Sequence, residues 1–287
     1  MLIRPVGEDF RVIAYYLGRI FTVVAFAGLL PLGWAVLGRE WHPFASFLLM
    51  VGLFGVIGAA GTRAQPEDPR LDWSHGMVVV ALTWLLVPAI GSLPFVFSGH
   101  FGSPLDAMFD AMSGLTTTGL ALVQDLDHLA PSLNFWRHLL HFLGGQGIIL
   151  AALSLFAGGG GITLYYGEAR DERILPSVMS TARFIWAVAM VHLVAGVAVL
   201  GVVAHQVLGF DWKRAFFHGL MVFFAGFYTG GFAPQSTSLG YYHSGVFELV
   251  AAVLMVAGAM SFGLHFALWR GPRRAVFANL ETRTILG

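Results

Sequence analysis

The chain has 287 residues, 57% of them hydrophobic and only 11% charged. An ordinary soluble domain is about 25% charged, so at a mean hydropathy of +0.74 this chain lacks the polar covering that a water-soluble globule needs. Lys and Arg balance Asp and Glu at 16 each, which leaves no basic excess for nucleic acid, and the absence of cysteine excludes disulfides, thiolate nucleophiles and cysteine–zinc sites.

What remains is an all-α polytopic membrane protein. A span needs about 20 mostly apolar residues to cross about 30 Å of hydrocarbon, and six segments qualify: 15–37, 43–61, 76–97, 134–157, 184–208 and 246–269. The first follows Arg4, Arg11 and Arg19 as a signal peptide would, but its apolar stretch is too long and no small-residue cleavage site follows, so it is read as a retained span. With the second it forms a preliminary hairpin within residues 1–75, where Gly52, Gly55 and Gly58 would let the helices approach closely.

After the third span, Ser103-Pro104-Leu105-Asp106 has the form of a helix start: serine at the N-cap, proline at the first helical position and an acid at the third. This helix is predicted to reach about Leu115, only about 18 Å or half a membrane. It runs into Thr116-Thr117-Thr118-Gly119, poor helix material because of its β-branched run and its glycine. The fourth span carries Arg137, His138 and His141 and the glycines 144, 145 and 147; the glycine run at 158–161 follows as a cytoplasmic exit, with no Gly-Lys-Ser/Thr to make it a phosphate loop. After the fifth span a second short helix is predicted from Asp211 or Trp212 to about Gly226, ending in Phe227-Tyr228-Thr229-Gly230-Gly231-Phe232, and the sixth span follows with Glu248 in its first turn.

The pattern is an internal repeat of span, half-helix, Thr-Gly loop and span, with one copy in residues 76–183 and another in 184–287. Irregular backbone at membrane depth is tolerated only where protein buries it or where it lines a water-filled cavity, so each half-helix with its loop reads as a re-entrant pore segment. The competing reading makes these segments bends in spans lengthened by loops. With the N-terminus cytoplasmic, twelve Lys and Arg lie inside and four (Arg39, Arg137, Lys213, Arg214) outside, which places both termini in the cytoplasm. The outer segment from His100 to Pro131 holds Asp106, Asp110, Asp125 and Asp127 and no Lys or Arg; it serves either to concentrate cations or simply to keep the loop soluble.

A dehydrated monovalent cation needs oxygens to replace its water, and backbone carbonyls in a narrow filter supply them. Aiming successive carbonyls at one axis demands backbone angles that glycine reaches at no steric cost. Thr117, Thr118, Gly119 and Leu120 are therefore the candidate cation site of the first loop, and Tyr228, Thr229, Gly230 and Gly231 that of the second.

The run from Asp106 through Met112-Ser113-Gly114-Leu115 to Gly119 resembles the first pore helix and filter of the Trk/Ktr/HKT potassium transporters, and most of all the bacterial Trk membrane subunit. Phe135-Trp136-Arg137-His138, Leu143-Gly144-Gly145-Gln146-Gly147-Ile148-Ile149 (with glutamine where the family usually has methionine), Tyr228-Thr229-Gly230-Gly231-Phe232 and Gly263-Leu264-His265-Phe266 agree with it in order and spacing. The resemblance implies potassium uptake at the cytoplasmic membrane, passive or coupled to another ion, through a filter of four pore loops with glycines at Gly119 and Gly230. It implies no cofactor beyond the transported potassium, dimeric assembly, and a cytosolic nucleotide-binding regulatory subunit. The family carries four repeats in one chain and this sequence has two. The expectation is a truncated or split product, pairing with a separate second half, or a homodimer whose two copies make four loops. Either way the chain is expected to be too short to conduct alone.

Rival readings rest on single residues. Ser113 beside Gly114 is the serine-glycine pair of an intramembrane serine hydrolase, or a small residue packing a helix. An inactive fragment or assembly protein is the other alternative. His138 and His141 share a helix face but lack the further ligands of a metal site. Glu248 near an interface is a functional acid or a solvated one, and Arg137 snorkels to headgroups or pairs with acids of the outer segment.

Overall fold

The computed structural model describes residues 6–67, 71–147, 178–271 and 283–284. Arg4, Arg70, Arg170, Arg173, Arg273 and Arg274, the inner part of the fourth span with Ile148 and Ile149, and the glycine run at 158–161 lie outside the described residues. The described elements are helical: α1 (Gly7–Gly38), α2 (Trp41–Thr62), α3 (Trp73–Gly91), α4 (Leu93–Val96), α5 (Pro104–Leu115), α6 (Pro131–Gln146), α7 (Val178–Gln206), α8 (Trp212–Phe227), a 3-10 turn (Ser238–Tyr242), α9 (Gly245–Ala259) and α10 (Phe262–Arg270). Four stretches, Gly7–Gly38, Trp41–Thr62, Trp73–Val96 and Ser180–Gln206, are long and apolar enough to cross a membrane. By contacts the chain forms two compact units, one of Met1–Thr116 with Leu120–Asp171, the other of Thr117–Gly119 with Glu172–Gly287.

In the first unit α1 and α2 cross where side chains are missing. A Cβ on Gly18 would stand 2.6 Å from the Thr62 nitrogen, and one on Gly58 2.7 Å from the Thr22 hydroxyl. Gly58 thus does what the sequence suggested, whereas Gly52 and Gly55 face open space with nothing within 4 Å. Glu40, just past the left-handed Arg39 that ends α1, caps α6 instead, accepting from the Ser132 amide at 3.1 Å and from its hydroxyl. That bond satisfies one of the orphan donors at a helix start. Trp136 on α6 donates its indole N–H to the Gly91 carbonyl at 2.7 Å, an oxygen released where α3 gives way to α4. These contacts fix α6 as the wall on which α5 rests.

The second unit is built around aromatic rings. α7 meets α8 through Gly196, whose added Cβ would reach the Phe223 ring at 2.7 Å, and through Gly201 against Phe216. Phe223 stacks on Phe227 at 5.1 Å between centroids, and His192 of α7 stacks on Phe227 at 5.0 Å.

The sixth predicted span departs from expectation. It is not one helix over 246–269 but α9 and α10, bent by 98°. Met260 is extended at φ −72 and ψ 139, and Ser261 caps α10 by accepting from the Leu264 amide. His265 then donates Nε2–H to the Ala257 carbonyl at 2.9 Å, filling an acceptor that the break leaves without its helical partner.

Candidate functional site

Both half-helices exist, and both stop where the Thr-Gly loops begin. Pro104 opens α5 behind Ser103, whose hydroxyl accepts from the Asp106 amide at 3.1 Å. α8 opens behind Asp211, whose carboxylate accepts from the Arg214 amide at 3.2 Å. At the other end Thr116 turns its hydroxyl back to the Met112 carbonyl at 2.9 Å. In the second copy the amides of Gly230 and Gly231 both return to the Ala225 carbonyl, at 2.9 and 3.2 Å. The helix C-termini therefore point their negative dipole ends into the loops.

The loops share a backbone signature. Two residues beyond each helix end stands a threonine in the left-handed region, Thr117 at φ 54 and Thr229 at φ 53; two residues further stands a glycine at positive φ, Gly119 at 77 and Gly231 at 85. A left-handed conformation is an outlier for a β-branched residue, and such strain concentrates at functional sites. The signature also sets the two loops side by side, residue for residue. Among the described residues Gly231, not Gly230, is the positive-φ counterpart of Gly119, and Gly230 stands level with Thr118.

Gly119 clusters with the second unit, where a Cβ on it would overlap the Gly230 carbonyl oxygen of that same unit. Thr118, Leu120, Thr229 and Gly231 are exposed, Thr117 and Gly119 half-buried, Tyr228 and Gly230 buried. The Tyr228 ring packs edge-on against Phe227 at 5.3 Å and Phe223 at 6.4 Å, so Tyr228 offers the loop its carbonyl and not its ring.

Each half-helix ends on a glycine of the following helix. A Cβ on Gly144 would fall on the carbonyl oxygen of Leu115, and one on Gly258 on that of Phe227. Sequence reasoning gave Gly144 a place in the fourth span and in the family motif but no partner, and missed Gly258. The seat is completed by His141, whose Nδ1 bonds the Gly114 carbonyl at 2.9 Å in the first copy, and by Met255 against Gly226 in the second.

Arg137 is fully buried and does not snorkel. Its Nε donates to Asp110 Oδ2 at 2.8 Å and its Nη2 to Oδ1 at 3.4 Å, and the Leu122 amide adds a bond to Oδ1 at 3.1 Å. Asp110 therefore belongs to the interior, its charge paired with that of Arg137. In the adjoining loop Asp125 bonds His128 Nδ1 at 2.9 Å; that contact holds the Asp125 carboxyl below its ordinary range and lifts the His128 imidazole above its own.

The rival sites do not form among the described residues. His138 Nδ1 bonds the Asn134 carbonyl at 2.8 Å, and no group of three His, Asp or Glu side chains converges as a metal site would require. The Ser113 hydroxyl is buried, and among the described residues no base bonds it as a nucleophile would require. Glu248 is exposed in the first turn of α9.

Two half-helices, each running into a left-handed Thr-Gly loop and each seated on a glycine of the next helix, define a helical membrane protein in which a half-helix and its loop occur twice. The chain belongs to the TrkH family, described as cation transport protein, whose family model matches residues 47–279; it is a family of transporters, not of enzymes. The Trk system potassium uptake protein TrkH of Halomonas elongata is 30% identical over 287 residues, which cover 96% of this chain and 57% of that protein. TrkH of Escherichia coli K12 is 31% identical over 233 residues, 76% of this chain and 46% of that protein. The crystal structure of the potassium transporter TrkH from Vibrio parahaemolyticus matches with a TM-score of 0.74 at 26% identity, covering 96% of this chain and 56% of that one. The chain thus spans about half the length of the curated relatives it matches.

Proposed function

We propose that this chain forms part of a potassium uptake pathway across the cytoplasmic membrane, with Thr117, Thr118, Gly119 and Leu120 as one part of a carbonyl filter and Tyr228, Thr229, Gly230 and Gly231 as another. The repeated left-handed threonine and positive-φ glycine carry this reading, in a chain whose relatives are named potassium uptake proteins. Carbonyls of these loops replace the ion's water, and the half-helix C-termini add negative potential at the same place. A negative interior drives the cation inward with about 2.3 kcal/mol per 100 mV. Potassium is cargo here, and no resident cofactor is part of the reading.

The domain reading is a preliminary hairpin at 1–75 followed by pore repeats at 76–183 and 184–287. The filter is completed by further pore repeats from another chain or a second copy, and a cytosolic nucleotide-binding subunit regulates it. The twelve-to-four bias of basic residues supports cytoplasmic termini.

The test is rubidium and sodium uptake into bacteria deprived of their own potassium uptake and expressing the full chain together with the repeats that complete it. Gly119→Ala, at equal protein amount, is expected to lower the rubidium-to-sodium ratio. An unchanged ratio would remove Gly119 from the filter.

A further inference from the structure

We propose that the buried Asp110–Arg137 pair is the positioning device of the first filter loop, with Asp110 holding the loop's exit through the Leu122 amide and Arg137 holding Asp110. The proposal rests on the filter reading above. The loop leaves α5 at Leu115, whose position is set by Gly144 and by the His141 bond to Gly114. It returns at Leu122, whose amide reaches Asp110 Oδ1 at 3.1 Å, one and a half turns back along the same helix. The residues between these two anchors include all four first-loop candidates, and the pair at the second anchor is 0% exposed on both sides.

The second repeat supplies an internal control. Aligned on the helix ends Leu115 and Phe227, Asp110 corresponds to Val222; aligned on the seating glycines Gly144 and Gly258, Arg137 corresponds to Ala251. Val222 and Ala251 are buried at 4% and 1% exposure. Aligned on the positive-φ glycines Gly119 and Gly231, Leu122 corresponds to Pro234. Proline has no N–H to donate. Carboxylate, guanidinium and amide donor are thus present together in one repeat and absent together in the other. A buried ion pair is weak evidence for stability, because apolar residues of fitting shape often do as well, and Val222 with Ala251 do so here. What the apolar pair cannot do is accept a hydrogen bond from the return limb. A carboxylate oriented by a two-pronged arginine accepts that bond in a fixed direction.

The experiment uses the full chain. Asp110→Val combined with Arg137→Ala imports the second repeat's pair and leaves the Leu122 amide without its acceptor; Arg137→Lys keeps the charge but loses the fork. Amide exchange at Leu122 in detergent is expected to quicken by about tenfold in the double variant, the scale of one lost hydrogen bond, and by less in Arg137→Lys, while the Thr116 amide is unchanged. In the uptake assay the rubidium-to-sodium ratio falls in the same order at equal protein amount. Unchanged Leu122 exchange in both variants would overturn the proposal, as would a quickened amide with an unchanged uptake ratio. If the unaltered chain shows no potassium-selective uptake, the filter reading fails, and Leu122 exchange alone then decides whether the pair anchors the loop. If the double variant does not fold, Arg137→Lys carries both measurements.

Discussion

In the first repeat a half-helix of 12 residues is tied to the next helix by a buried carboxylate–guanidinium pair, whereas in the second a half-helix of 16 residues lies among stacked aromatic rings with valine and alanine at the same places. The two nevertheless deliver one backbone: a left-handed threonine two residues past the helix end and a positive-φ glycine two residues later. They also share the contact of the half-helix's last carbonyl with a glycine on the following helix. Backbone conformation and helix seat are what the two loops share, and each secures them with its own set of side chains.

The largest expected effect tests the shared seat. Gly144→Ala and Gly258→Ala each put a methyl group onto a carbonyl oxygen that cannot turn aside, because it ends a packed helix. Each should cost more than about 3 kcal/mol, read as a large and similar loss of thermal stability in detergent. A mild effect at one of them would break the symmetry between repeats.

Next come the filter glycines. Gly119→Ala meets both a positive φ and the Gly230 carbonyl, while Gly231→Ala meets a positive φ of 85 with nothing within 4 Å. The second should cost only the left-handed penalty of about 1–2 kcal/mol, and Gly119→Ala more than that in the same stability measurement. If Gly230→Ala proved more damaging than Gly231→Ala, the register of the second loop would need revision.

Smaller still, Thr117→Asn and Thr229→Asn exchange a β-branched residue for one that visits the left-handed region readily. Each should raise stability by up to about 1 kcal/mol, equally in the two repeats, as read by chemical denaturation. The smallest effect is confined to the first repeat. The contribution of the Asp125–His128 contact is complete below the ordinary histidine value of 6.5 and is lost as pH rises through the raised folded value. At the acid end it is present above the ordinary aspartate value of 3.8 and is lost as pH falls through the lowered one. Nuclear magnetic resonance titration of His128 should show a midpoint above 6.5 that returns toward it in Asp125→Asn.

Much of this was legible in the sequence because its signals are local. Ser103-Pro104 fixed the start of α5, the β-branched Thr116-Thr117-Thr118 its end, and an acid at 211 the start of α8. What escaped depends on contacts across the fold. Nothing near Gly258 announces that the end of α8 will rest on it, and although an acid of the outer segment was one of two partners open to Arg137, only the turn of the helix singles out Asp110. The second loop's register was ambiguous because Gly230 and Gly231 are adjacent; counting from the helix end at Phe227 would have separated them. The break after Ala259 interrupts an unbroken apolar run, and its one local signal, Ser261, is an unremarkable residue in a membrane helix.

That break lies just past the seat. Gly258 presses on Phe227, and the chain leaves the helix at Met260, with Ser261 beginning a new one at 98°. In the first repeat the helix likewise ends at Gln146, and Gly147 takes φ 82 three residues after Gly144. The helix after the second loop is therefore jointed immediately beyond its bearing point. Past Gly258 only Ala259 remains of α9 before the backbone turns, and the His265 bond to the Ala257 carbonyl ties the new helix to that same end.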